Sequence, residues 1–436
     1  MNWELIEQKA KHSIDLTEEE AKWLLELNRP DDLAHLYDLA GEVNDRLNGR
    51  NVSFIHNMNV NYTNICEYHC TFCEFKKSPL SKDAYILSFD DVRKRIGESD
   101  GTLSEITFQG GLSAEVKFKE VLTLLRQLRN EYPHIHFHAF SPEEIDFYAS
   151  ETDQTYLEIV VQAKAAGMNS MCGTAAEVLD DEVRKKICWE KISSNEWCEI
   201  IKTAHRLGMH STATILFGHI ETPQHVVNHF KKIRELQRQS VKRWSARRET
   251  KMIPPPALDP IPLPVYAPKA HWPFRPKTGS GTKGHLSRKG PPSAEKAGGG
   301  MITEFIPLLF MPDKTKLGRM INPSLDRTEY AFKMVAVSRL YFMNDIRNIQ
   351  TSWVKLGWEN ALKSLSYGAN DMSGTLYHEN ITREAGGENG EYTPREKFIS
   401  EISRIGKIPV ERDTIYSFQR KSASSLHEVP RALHSS

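Results

Sequence analysis

Asn61-Tyr62-Thr63-Asn64-Ile65-Cys66-Glu67-Tyr68-His69-Cys70-Thr71-Phe72-Cys73-Glu74-Phe75 sets three cysteines at C-x3-C-x2-C spacing directly behind a β-rich run, Val52 to Tyr62. Three thiolates on one short loop can hold three irons of a 4Fe-4S cube and leave the fourth iron without a protein ligand. That open iron is a place for chemistry. Structural zinc asks for four Cys/His ligands and a second knuckle. No second knuckle exists here, and His69, lying between two of the cysteines, is cramped as a fourth ligand. The other cysteines of the six, Cys172, Cys188 and Cys198, are scattered rather than arranged as a secreted disulfide framework, and read as buried or helical side chains.

Outward from this loop, strand and helix signals alternate. Further β-rich runs lie at Glu105 to Phe108, Ile135 to Phe140, Gly167 to Met171, Ser211 to Phe217, Ile302 to Phe310, Asn348 to Val354 and around Gly368 to Leu376. Amphipathic stretches fall between them at Phe118 to Glu131, Asp181 to Leu207, Thr222 to Gln237 and Glu329 to Phe342. Eight strand candidates interleaved with helices predict an α/β fold, a parallel (β/α) barrel of the TIM type. The cysteine loop then sits at the carboxyl end of the first strand, where such barrels build their sites. The second strand ends in Gln109-Gly110-Gly111, whose glycines let backbone approach a ligand closely.

The predicted organisation is an N-terminal helical segment (1–50), a barrel in two pieces (51–240 and 301–416), an insertion (241–300) and a polar tail (417–436). The insertion holds 11 of the 22 prolines and carries 12 Lys/Arg against 3 Asp/Glu, so it cannot supply a buried face and is read as disordered. As a basic Pro-rich arm it has a partner-binding alternative, an SH3-like or anionic surface. It follows a helix and precedes a strand, a connection on the barrel face opposite the site, so deleting 241–297 is expected to leave activity intact.

Lys+Arg and Asp+Glu both number 57, so net charge implies no nucleic acid or other polyanion. No window approaches the roughly 18 apolar residues of a spanning helix, and Met1-Asn2-Trp3-Glu4-Leu5 is no signal pattern, so no membrane is implied and a cytoplasmic location is expected.

The cysteine spacing, with Phe72 before the third cysteine, resembles the signature of the radical S-adenosylmethionine (SAM) superfamily. The resemblance implies one 4Fe-4S cluster on Cys66, Cys70 and Cys73, with S-adenosylmethionine chelating the open iron and yielding a deoxyadenosyl radical. It implies that Phe72, Gln109, Gly110, Gly111, Ser141 and Glu177 serve that cosubstrate. Within the superfamily the chain looks like the FO synthase subunit that joins tyrosine to a ribitylamino-uracil in deazaflavin cofactor biosynthesis. Its kin are aminofutalosine synthase and the futalosine cyclase of menaquinone biosynthesis. The carrying residues include His138-Ala139-Phe140-Ser141-Pro142, Gly173-Thr174-Ala175-Ala176-Glu177, Gly218-His219-Ile220-Glu221, Thr303-Glu304-Phe305 and Asn370-Asp371. Implied partners are the two small substrates, a reduced ferredoxin or flavodoxin, and the companion cyclising subunit.

Departures bear on the substrate. Cys172 and Trp189 stand where that subunit usually has prolines, and Met372-Ser373-Gly374 where it reads Leu-Gly-Gly. Glu411-Arg412-Asp413-Thr414-Ile415-Tyr416 is similar to aminofutalosine synthase, the alternative function. A remote alternative is a metal-binding interaction protein without catalysis. Several residues keep two readings. Glu177 either binds the adenosyl ribose or is an acid at the start of the helix that Leu179-Asp180-Asp181 opens. His219 and Glu221 either move a proton or bind the uracil, or form a salt-linked loop pair, and Asn370 and Asp371 are equally open. Of His134, His136 and His138, alternating along one run, only His138 lies near the carboxyl end.

Overall fold

Along the barrel segments polar and apolar side chains alternate, which lets one face of each strand look into a lumen while the other packs on helices. The computed structural model describes residues 1–99, 101–249, 300–321 and 326–417. Its strands are β1 (Asn51–Ile55), β2 (Asn57–Asn61), β3 (Glu105–Gln109), β4 (His136–Ala139), β5 (Ser170–Met171), β6 (His210–Phe217), β7 (Ile302–Leu309), β8 (Asn348–Ile349), β9 (Asp371–Gly374) and β10 (Ile408–Arg412). The helices are α1 (Trp3–His12), α2 (Glu18–Glu26), α3 (Pro30–Asn48), α4 (Phe89–Gly97), α5 (Phe118–Glu131), α6 (Pro142–Thr152), α7 (Tyr156–Ala166), α8 (Asp181–Ile187), α9 (Ser194–Arg206), α10 (Pro223–Glu249), α11 (Arg327–Phe342), α12 (Trp353–Leu356), α13 (Trp358–Ser364), α14 (Ile381–Glu384) and α15 (Arg395–Arg404).

β2 to β8 form one sheet in sequence order, every pair parallel. β1 and β2, split only by His56, are two halves of one barrel strand. β9 pairs with β1, and the single bridges Gln350↔Asp371 and Met58↔Tyr377 carry the ring from β8 through β9 back to β2. The predicted parallel barrel is the observed fold. Ile106, Phe108, Phe137, Ala213, Ile215, Phe217 and Phe305 face outward into the buried core under the helices. Five helices open on full capping boxes, at Thr17, Ser88, Ser141, Thr155 and Ser193, so the turns after several strands are set locally. The predicted N-terminal helices are α1 to α3, and α3 docks beside β9 through Asn44 Nδ2, which donates to Ala369 O at 3.2 Å.

Three expectations change. The run Asn348 to Val354 is strand only at β8, because Trp353–Leu356 turns into α12 and Trp353 Nε1 donates to Gly374 O at 2.9 Å. The stretch Asp181 to Leu207 breaks into α8 and α9, Ser193 capping the second. Residues 241–249, placed in the insertion, continue α10, and Gly300 is buried against the His205–Met209 backbone. The rest of the predicted disordered insertion, 250–299, and the tail from 418 lie outside the described residues. The unforeseen element is β10, which pairs in parallel with β1 and brings Arg412 opposite Ile55, into the barrel from its amino end.

Candidate active site

Past Asn61 the chain leaves β2 and doubles back. Asn64 accepts from Tyr85 N at 2.9 Å and donates to Asp83 O at 2.8 Å, and Thr63 Oγ1 donates to Tyr85 O at 2.7 Å, so polar side chains hold the returning leg. The outgoing leg is stitched to neighbouring loops. Glu67 N donates to Leu112 O at 2.7 Å, and its carboxylate accepts Ser113 Oγ at 3.0 Å and Ala114 N at 2.7 Å. Thr71 N donates to Ile187 O, and Thr71 O accepts from Leu317 N, both at 2.8 Å. Cys66, Cys70 and Cys73 ride on this loop as partly exposed free thiols, while Cys172, Cys188 and Cys198 are buried, as expected.

The glycine pair lies under the loop. A methyl on Gly111 would meet the carbonyl carbon of Ile65 at 2.8 Å and Cys66 Cβ at 3.1 Å, and one on Gly110 would meet Tyr62 Cδ2 at 2.8 Å. Gly111 N donates to Thr63 O at 3.0 Å. The glycines let the cysteine loop sit directly on the end of β3.

The donor set suits a cluster. Burial pushes the thiols of Cys70 and Cys73 above their ordinary range, with the Lys191 ammonium pulling the other way, so ionisation awaits a metal that takes up the sulfur's charge. Among the described residues no three His, Cys, Asp or Glu side chains converge where one ion would sit. A cube takes each thiolate on a different iron, so three cysteines within eight residues of one loop suit it.

Lys191, which no sequence pattern flagged, lies largely but not fully buried beside this loop. It pairs with Glu177 at 2.7 Å and stands 5.4 Å from the Phe72 ring centroid. Burial opposes its charge, yet Glu177 and its other acidic neighbours hold its pKa well above the usual range. Glu177 is not at a helix start: Asp180 caps α8, and Glu177 lies ahead of that cap with φ 47°. Gln109 Nε2 reaches Thr174 Oγ1 at 2.5 Å, tying the end of β3 to the loop after β5.

Ser141 is occupied by its capping box with Glu144. The same carboxylate accepts Tyr62 OH at 2.8 Å and Gly110 N at 3.0 Å. Burial raises its pKa while these donors oppose the rise. The Ser-x-x-Glu spacing could have announced Glu144 as a cap, but not as the joint between that cap and the glycine turn.

His219 and Glu221 meet at 3.1 Å with both side chains buried. Glu221 accepts Gly218 N at 2.6 Å and His219 N at 2.9 Å, while the imidazole lies 3.0 Å from Leu216 O and accepts Ile220 N at 2.7 Å. The geometry is that of the loop pair. Asn370 is likewise consumed, accepting Arg339 Nη2 at 2.7 Å and Ile349 N at 2.9 Å and donating to Asn348 at 3.0 Å.

Under the cysteine loop the lumen mixes polar and branched apolar side chains, where barrels usually fill with branched apolar residues alone. Inward-facing Asn59, Thr107, Gln109, Leu216, Ile306 and Leu308 keep partial exposure while their outward neighbours are buried. Deeper, Ser170 Oγ lies 2.7 Å from His138 Nδ1 and 2.8 Å from His136 Nε2, and burial pushes His136 down to about 4. The floor is an ion cluster. Arg412 Nε donates to Asp371 at 2.6 Å and its Nη2 to Glu304 at 3.1 Å, and Tyr416 OH donates to Glu304 at 2.6 Å. Burial pushes Glu304 up to about 7 against the pull of Arg412.

The radical SAM superfamily pattern matches residues 60–233, and the CofH/MqnC C-terminal region matches residues 299–425. The chain is 34% identical over 420 residues to the 5-amino-6-(D-ribitylamino)uracil–L-tyrosine 4-hydroxyphenyl transferase of Microcystis aeruginosa, covering 94% of this chain and 96% of that one. It is 35% identical to the enzyme of the same name from Methanothermobacter thermautotrophicus, covering 92% and 94%. Among solved structures, methylornithine synthase (PylB) superposes with a TM-score of 0.61 at 15% identity, over 93% of this chain and 97% of that one, a likeness of fold. A C-x3-C-x2-C loop at the carboxyl mouth of a parallel barrel, followed by that C-terminal region, makes this chain a member of the radical SAM superfamily and of its CofH-type transferase family.

Proposed function

We propose that this enzyme couples the hydroxybenzyl group of L-tyrosine to 5-amino-6-(D-ribitylamino)uracil, using a 4Fe-4S cluster and S-adenosylmethionine, in deazaflavin cofactor biosynthesis. The observation that carries the reading is the cysteine loop seated on Gly110-Gly111 over a lumen lined by both polar and apolar side chains, in a chain about a third identical to transferases of that name along most of its length. The catalytic domain is the barrel, 51–249 with 300–416.

Cys66, Cys70 and Cys73 would hold the cluster, which with S-adenosylmethionine supplies one-electron cleavage to a deoxyadenosyl radical. Lys191, braced by Glu177, sets a largely buried cation beside Cys70 and favours the thiolate form. Phe72, Gln109, Gly110 and Gly111 would border the cosubstrate from the loop and from the end of β3. Asn59, Thr107 and Gln109 offer hydrogen bonds to the polar groups of the substrates, and Leu216, Ile306 and Leu308 give an apolar wall to the phenol ring. The floor of Arg412, Asp371, Glu304 and Tyr416 closes the far end, keeping water from radical intermediates. Ser141, His219, Glu221 and Asn370 act by positioning the loops that carry these groups. The electron would come from a reduced ferredoxin or flavodoxin, and the adduct would pass to the companion cyclising subunit.

The test is anaerobic reconstitution with dithionite, S-adenosylmethionine, tyrosine and the ribitylamino-uracil, with mass spectrometry for 5'-deoxyadenosine and the adduct. Adduct that Cys70→Ala abolishes is the expected result. Deoxyadenosine without adduct would move the substrate to the enolpyruvyl-benzoate ether of aminofutalosine synthase, and neither product from an intact cluster would overturn the enzyme reading.

A further inference from the structure

We infer that the outer face of the cysteine loop is the docking surface for a small acidic one-electron carrier protein. The inference rests on the reading of Cys66, Cys70 and Cys73 as cluster ligands. Three segments meet at Thr71, whose backbone is bonded on one side to Ile187 at the end of α8 and on the other to Leu317 in the segment after β7. His69, two residues away, donates its N–H to Glu190 and sets its ring nitrogen 3.0 Å from the same carboxylate, so the loop and the residues after α8 form one surface.

That surface combines features of an interface. Trp189 is 55% exposed and Met320 65% exposed, large apolar side chains on the two segments that flank the loop. Lys185 and Lys186 share the segment of Trp189, and Lys314, Lys316 and Arg319 that of Met320, all exposed. Lys186 is paired with Glu182 at 2.9 Å, whereas Lys185, Lys314, Lys316 and Arg319 have no ion-pair partner among the described residues. Of the acids on these segments, Glu190 is engaged by His69, and Asp313 lies in the field of Arg327. Exposed lysines alone would be a solvated face. Here they share two segments with an exposed Trp and an exposed Met, residue types that anchor interfaces, and both segments are bonded to the loop that carries the thiols. Cations beside exposed apolar anchors fit an acidic partner, steering its encounter and fixing its register. The carrier gives up one electron and the cluster gains it, no bond forming or breaking, and the carrier's own reductase restores it.

The probe is a flavodoxin kept reduced by its reductase. Flavodoxin binding to the full chain is measured by calorimetry at low and high salt, and deoxyadenosine formation is driven in parallel by flavodoxin and by dithionite. The combined variant Lys314→Glu, Lys316→Glu, Arg319→Glu should raise both the flavodoxin Kd and its KM at least about tenfold at low salt, the difference fading as salt rises. Its iron content and dithionite-driven rate should equal those of the parent chain. Trp189→Ala with Lys185→Glu, on the opposite flank, should weaken binding in the same sense. Unchanged flavodoxin Kd and KM in both variants would overturn the docking surface. Absence of dithionite-driven deoxyadenosine in the parent chain would overturn the function proposed above, while flavodoxin binding would still judge the surface.

Discussion

Gly111→Ala tests whether the cysteine loop depends on the glycine beneath it. The added methyl would stand 2.8 Å from the Ile65 carbonyl carbon and 3.1 Å from Cys66 Cβ, where ordinary contact begins at 3.4 Å. The neighbour is backbone, not a flexible side-chain end, so relief means moving Ile65-Cys66 outward. The φ of Gly111 is not in the left-handed region, so alanine brings no backbone strain and the steric effect stands alone. Overpacking of this kind costs about 1–3 kcal/mol. A loop displaced by about 1 Å should cost the reaction about 100-fold, because the reacting groups are held by position. The assay is iron and sulfide per chain after anaerobic reconstitution, with the rate of deoxyadenosine formation. Gly97→Ala is the control: nothing lies within 4 Å of its new methyl at the end of α4, and it should match the parent chain. A Gly111→Ala enzyme with parental iron content and parental rate would refute the reasoning.

Arg412→Ala strands Asp371 and Glu304, whose side chains are 0% and 5% exposed, and should destabilise the chain by about 3–5 kcal/mol in chemical unfolding; a loss under about 1 kcal/mol would show that the floor does not need its cation. His205 is held neutral between Ser240 Oγ and Ser211 Oγ, burial pushing its pKa down to about 3 from 6.5. Below pH 6.5 the unfolded chain binds a proton that the folded chain refuses, so this contribution is intact above 6.5 and drains toward pH 3 at up to about 1.4 kcal/mol per pH unit. His205→Gln does not titrate, so its stability gap to the parent should narrow between pH 7.5 and 5, and a constant gap would exclude the mechanism. Deleting 250–299, which spares the described part of α10 and the buried Gly300, should leave dithionite-driven deoxyadenosine formation unchanged; a soluble deletion variant without product would give the segment a role in the reaction.

Much of the site was legible because its chemistry is local. Cys66, Cys70 and Cys73 fall within eight residues, so covalent spacing alone brings the thiols to one loop, and alternation with intervening amphipathic runs marked most strands. Side-chain roles were less legible, since a polar residue at a strand end reads alike whether it meets substrate or a neighbouring loop. Ser141 and His219 proved to be engaged by their own turns and Asn370 by α11 and β8, and Lys191, unmarked by any pattern, proved to stand beside the cysteines.

By itself the sequence determined the cluster motif, the order of strands and helices, and the place of the loop behind the first strand, because spacing and periodicity are properties of neighbouring residues. Only the tertiary structure decided what lies under the loop and what closes the barrel. Gly111 meets Ile65, Lys191 meets Glu177, and β10 pairs with β1 to carry Arg412 to Asp371 and Glu304. Such contacts join different segments of the chain and are set by which charges and backbones the sheet brings together, a condition that no local pattern encodes.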